Sequence, residues 1–223
     1  MEVAIIITIL DGDDRTAGCL AECQKQMDAI AVEGRYSFSI FLNNEGQEGY
    51  QAVWEKASKD GYDFYLWVGY DLRLAEGALA CFLENSEFLR HKAVITGTVA
   101  GPDRGLLFGG RSRHGRLLEP DKTIPVPCHL YDMALALVPS YAFSRLENPA
   151  DFFRQSLFDY GYGAKVAKAG VARVIAPGIL AQTTRKPEIP VWKNPDNPAM
   201  DRARSLLRSI GREIIRILHT VFR

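Results

Sequence analysis

Three short polar clusters could carry hard oxygen-donor chemistry in this sequence. They are Asp11-Gly12-Asp13-Asp14, Asn43-Asn44-Glu45-Gly46 and Gly69-Tyr70-Asp71. Carboxylate and amide oxygens are the ligands that hard cations take, so acids gathered at one edge of a fold could hold Mg²⁺ or Mn²⁺. The same residue types cap helices and close turns. Residue type and spacing leave both readings open. Soft-ligand chemistry is not expected. Cys19, Cys23, Cys81 and Cys128 form no Cys-x-x-Cys pair, and His91, His114, His129 and His219 lack metal-ligand spacing. The cysteines read as free thiols of a reducing cytoplasm.

The elements that must position these clusters follow from hydrophobic periodicity. Val3–Leu10 is a continuous, largely β-branched run, as in a strand covered on both faces of a parallel sheet. Thr16–Ile30 places Cys19, Leu20, Cys23, Met27 and Ile30 on one helical face. Ser37–Leu42 predicts a second strand and Gln47–Lys59 a helix stopped by Asp60-Gly61. Tyr62–Val68 predicts a third strand, Ala75–Asn85 a helix and Lys92–Val99 a fourth strand. Strands alternating with helices imply an α/β sandwich with a mostly parallel sheet. In such sheets ligands sit at the carboxyl ends of the strands, where all three polar clusters fall.

Beyond Gly101 the pattern loosens. Gly101–Pro127 predicts short β segments and loops, Leu135–Val138 and Val171–Ala176 strands, and Ala150–Ala169 a helical stretch. Thr183–Asn197 reads as a linker with Pro187, Pro190 and Pro195, followed by Pro198 at the start of a C-terminal helix.

Composition sets the outer limits. The chain has 223 residues, and length divided by about 150 predicts one domain plus an appendage. That gives a domain over 1–184 and a linker with a helix over 185–223. At 47% apolar and 24% charged residues, composition argues against wholesale disorder. Twenty-seven bases balance 27 acids, which argues against a globally basic nucleic-acid binder. The balance is uneven, because residues 200–223 carry a net +4 and the rest −4. No apolar run reaches the roughly 18–20 residues of a membrane span. The N-terminus lacks the basic region and cleavage site of a signal peptide and is expected to be the first strand.

The order of segments resembles the family 2 glycosyltransferases, which have the GT-A fold, over Val3–Thr184. VAIIITILDGDDRTAGCL is similar to that family's first strand and nucleotide-binding turn, and GYDFYLWVGYDLRLAEGAL to its aromatic strand, acidic motif and following helix. FGGRSRHGRLLEP resembles the hairpin after the fourth strand, and CHLYDMALALVPSYAF the acceptor-side segment. FFRQSLFDYGYGAKVAKAGVARVIAPG is similar to the segment that supplies the catalytic base. The resemblance implies a GT-A-like three-layer sandwich. It implies an inverting, metal-assisted transfer of a sugar from a nucleotide-sugar donor to a cell-surface glycan or lipid-linked acceptor.

Site residues are implied in the same way. Asp71 aligns with the last acid of the Asp-x-Asp motif that holds Mg²⁺ or Mn²⁺, and Asp159 with the general base. Thr8, Asp11, Asn44 and Glu45 fall where the family contacts the nucleotide. The chain departs from the pattern at Gly69 and Gly161, which stand where acids are usual, and at Lys165, which stands for an Arg. Some twenty residues after the second strand have no counterpart here. A second reading therefore stands beside the first: a catalytically degenerate GT-A domain that binds an active transferase. A nucleotidyltransferase is disfavoured, because Asp11-Gly12-Asp13-Asp14 is too acidic for a phosphate loop.

The C-terminal segment adds a partner expectation. Leu206, Leu207, Ile210, Ile214, Ile217, Leu218 and Val221 form an apolar stripe beside Arg204, Arg208, Arg212 and Arg216. That pattern suits peripheral contact with an anionic membrane face, and equally a helix packed on the domain or in a homodimer.

Overall fold

The computed structural model describes residues 1–9, 15–44, 55–57, 59–145, 166–185, 198–201 and 203–204. The chain divides into two compact units, Met1–Arg185 and Lys186–Arg223. In the second, residues 199–201 and 203–204 are helical, and the Asp201 N–H donates to the Pro198 carbonyl at 3.0 Å. The remainder of the basic amphipathic stripe lies outside the described residues.

The first unit is built on strands β1 (Glu2–Ile9), β2 (Ser37–Asn44), β3 (Phe64–Val68), β4 (Leu72–Leu74), β5 (Ala93–Ala100) and β6 (Leu106–Phe108). It continues with β7 (Gly110–Arg111), β8 (Val126–Pro127), β9 (Leu130–Tyr131), β10 (Leu135–Pro139) and β11 (Ala172–Thr183). The helices are α1 (Arg15–Ala31), α2 (Ala78–Phe88) and α3 (Ser140–Ser144). The main sheet runs in the order β2-β1-β3-β10-β5-β11-β4, with β6 on β5 and β8 on β11. Strands β2, β1, β3, β5 and β11 share one direction, while β10 and β4 oppose them.

Both faces of the sheet are covered, which explains the unbroken apolar runs. Val3, Ile5 and Ile7 of β1 join Phe64, Leu66 and Val68 of β3 in one core, against Cys19 and Cys23 of α1 and Leu79 and Phe82 of α2. Ala4 and Ile6 face the other way, with Tyr65, Trp67, Ala136 and Val138, and are closed over by Ala57, Ala142 and Val166. The strand period of two therefore feeds two separate cores from each strand.

Four details depart from the expectations. Strand β10 enters antiparallel between β3 and β5, pairing Leu137 with Leu66 on one side and Ile95 on the other. The short β4 occupies residues expected to lead straight into a helix, and α2 begins at Ala78 after Gly77 takes a left-handed φ of 73°. Strand β11 does not end at Ala176. A register shift between Ile175 and Ile179, with Gly178 at φ 72°, carries it on to Thr183. Thr183 is thus a sheet residue and not the start of the linker. Of the helix expected over Gln47–Lys59, residues 55–57 and 59 are helical, and of Ala150–Ala169, residues 166–168. The remainder of both segments lies outside the described residues, apart from Ala169, which is in a turn.

Candidate functional site

Parallel pairing brings three sequence candidates to one sheet edge. Ile9 lies opposite Asn44, and Ile7 opposite Val68, so Thr8, the end of β2 and Gly69–Asp71 are neighbours. The Asn44 side chain, Asp11, Glu45 and Asp159 lie outside the described residues.

Thr8, expected at the nucleotide, is turned inward. It is buried, and its hydroxyl oxygen accepts the Tyr70 backbone N–H at 3.1 Å. Its described role is to hold the turn that presents Asp71. Gly69 fixes the same turn by donating its N–H to the Ala134 carbonyl at 2.8 Å and accepting from Leu72 N–H at 3.1 Å. A Cβ at position 69 would meet Leu72 Cγ at 3.3 Å and Asp71 Oδ1 at 3.5 Å. A side chain at this position would need Leu72 to give by a few tenths of an ångström.

Asp71 is buried, and its charge is met from the end of β11. The Thr183 hydroxyl donates to Asp71 Oδ2 at 2.7 Å, and Arg185 Nε donates to the same oxygen at 3.1 Å. The Thr183 oxygen in turn accepts the Arg185 backbone N–H at 3.0 Å. Arg185 also donates to the Tyr70 hydroxyl at 3.3 Å. Two guanidinium groups lie near the Tyr70 ring, with Cζ of Arg15 at 5.3 Å and of Arg185 at 5.7 Å from its centroid.

Beside this cluster lies a cavity of about 530 Å³. The charged residues lining it are Arg15, Arg73, Arg104, Glu22 and Asp71. It opens at the carboxyl ends of β5 and β11, through Ala100, Gly101, Gln182 and Thr183. The volume falls within the range of small-molecule sites. Cys19 also lines it but offers no nucleophile. Its hydrogen bond with Cys23, then burial, push its thiol far above the usual range.

A second charged pair braces the antiparallel pairing of β7 with β9. Asp132 accepts from Gly109 N–H at 3.0 Å and from Arg111 Nη2 at 3.1 Å, and is almost fully buried. Burial pushes its carboxyl up, against the pull of Arg111.

The sequence matches no family profile and no curated protein. Solved structures do match. GalNAc-T7 with UDP, GalNAc and Mn²⁺ superposes with a TM-score of 0.55 at 10% identity, over 84% of this chain and 44% of that one. S. aureus TarS 1-349 gives 0.50 at 11% identity, over 82% and 60%. A197 from STIV gives 0.54 at 10% identity, over 83% and 87%. The chain has a GT-A-like α/β fold.

On a GT-A-like frame, Asp71 is the residue to test for a divalent cation. The described residues around it do not fit one. They contain no group of three or more His, Cys, Asp or Glu able to hold a metal. One oxygen of the Asp71 carboxylate is taken by a hydroxyl and a guanidinium. A fixed positive charge 3.1 Å from that oxygen opposes a cation there.

Four residues of this cluster escaped the sequence reading: Arg15, Arg73, Arg104 and Arg185. Each stands in a stretch with no spacing signal, and Arg185 falls within the expected linker. Only the strand order brings them together.

Proposed function

We propose that this chain is a glycosyltransferase using a nucleoside-diphosphate sugar. The observation that carries the reading is the arginine-lined cavity at the carboxyl ends of β5 and β11 of a GT-A-like sheet. Ligands of open α/β sheets bind at such ends. A leaving diphosphate needs positive charge beside it.

In an inverting transfer, the acceptor hydroxyl oxygen bonds to the anomeric carbon as the bond from that carbon to the diphosphate oxygen breaks. The diphosphate departs with the electron pair, and the acceptor proton passes to a base. Asp159 is the proposed base, on its match to the family motif. Asp11, Asn44 and Glu45 are the proposed nucleotide contacts, and Thr8 acts by holding Tyr70. The acceptor class proposed is a glycan or a lipid-linked saccharide. The regular arginines of 200–223 favour an anionic membrane face as its setting.

Incubating the purified chain with UDP-, GDP- and dTDP-sugars, and following nucleotide release with and without candidate acceptors, tests this. Release from one donor class is expected, with a loss of roughly 10²- to 10⁴-fold in Asp159→Asn. Binding of no nucleotide and release from no donor would overturn the reading and favour the degenerate, partner-binding domain.

A further inference from the structure

Resting on that reading, we infer that the positive charge facing the donor's diphosphate is supplied by this chain's own arginines, in place of a divalent cation. Three observations converge. The cavity is lined by Arg15, Arg73 and Arg104 against Glu22 and an Asp71 already paired with Arg185. Position 69, where a second metal-binding acid would stand, is a glycine and offers no carboxylate. Arg15 and Arg185 are placed by the aromatic ring of Tyr70, and Arg185 also by Phe108 at 5.9 Å.

The chemistry suits a diphosphate. A guanidinium presents several donors in a plane and grips phosphate oxygens at two points. A guanidinium held close to an aromatic ring has less freedom to lose when an anion binds. The side chain of Arg15 is tied further by donation to Thr184 Oγ1 at 3.3 Å. Arg73 and Arg104 stand on exposed positions at the rim. Asp71 is then a positioning residue: it holds Arg185, which with Arg15 frames Tyr70.

The test is calorimetric titration of the full chain with inorganic pyrophosphate and with UDP, GDP and dTDP, in EDTA and again in Mn²⁺. Binding in EDTA is expected, with affinity unchanged by Mn²⁺. Arg15→Ala, Arg73→Ala and Arg104→Ala, all at exposed positions, are each expected to weaken pyrophosphate roughly tenfold. Glu22→Gln is expected to tighten it. These variants keep the test decisive even where Arg185→Ala fails to fold. Nucleotide binding that requires Mn²⁺ would overturn the inference and leave the transferase reading standing. Affinity unchanged in the three arginine variants would overturn it likewise. Pyrophosphate binding in EDTA with no nucleotide or nucleotide-sugar binding would support the arginine site and sink the transferase reading.

Discussion

Arg185 Nε lies 3.1 Å from Asp71 Oδ2, joining residues 114 apart in sequence. The contact ties the segment after β11 to the turn after β3. Both ends are largely withdrawn from water, with side-chain exposures of 23% for Arg185 and 4% for Asp71. Removing Arg185 leaves the buried Asp71 carboxylate without the guanidinium that faces it. Arg185→Ala is expected to cost about 3 kcal/mol in urea denaturation. The double variant Arg185→Ala/Asp71→Asn should recover part of that loss. A cost of the double variant equal to the sum of the Arg185→Ala and Asp71→Asn costs would show that the pair is not coupled.

The Asp132–Arg111 pair makes a similar prediction at a different place. Asp132→Asn removes the charge facing Arg111, whose side chain is only 12% exposed, and weakens the acceptor for Gly109 N–H. A loss of about 3 kcal/mol is expected. The two-stranded antiparallel β7–β9 sheet should loosen first, seen as faster amide exchange at Gly109 and His129 than in the β1–β3 core.

Close approach, rather than charge, governs Gly110. A Cβ there would lie 2.2 Å from Ile175 Cγ1 and 3.0 Å from Cys128 Cβ. Gly110→Ala should therefore destabilise by about 2 kcal/mol, a fall in Tm of roughly 4–8 °C. Ile175→Ala removes the clashing atom at the expense of a cavity. The double variant should be less destabilised than the two single changes added together.

The Tyr36–Glu87 contact predicts the pH dependence. The Tyr36 hydroxyl donates to Glu87 Oε1 at 2.7 Å, and Arg35 pairs with the same carboxylate. Burial, then the bond to Glu87, push Tyr36 from an ordinary 10.0 up to about 12. A raised folded value means the contribution is whole below pH 10.0 and is lost as pH rises toward about 12. Glu87 is lowered, first by the Tyr36 hydroxyl and then by Arg35. Its contribution is whole above the ordinary glutamate range and is lost as pH falls through the folded value. The stability difference between wild type and Tyr36→Phe, measured across pH, should be largest at neutrality and shrink at both ends. A difference flat from acid to alkali would refute the linkage.

The sequence by itself determined the α/β alternation and the two-sided burial of β1 and β3. Those features are local. An eight-residue run such as Glu2–Ile9, apolar at almost every position, has few stable fates besides a strand covered on both faces. It also singled out Asp71, through its place after an aromatic strand. What Asp71 does was left to the tertiary structure. Its partners, Thr183 and Arg185, are 112 and 114 residues away and reach it only because β11 pairs with both β5 and β4. The antiparallel entry of β10 between β3 and β5 is of the same kind, since Leu135–Pro139 is apolar enough to sit in either direction. The inward turn of Thr8 is another, because a hydroxyl at a strand end serves water, ligand or backbone equally well until a neighbouring N–H is fixed beside it. Period and composition set which faces are buried. Strand order decides which charges meet, and that order is fixed by contacts too distant in sequence to leave a spacing.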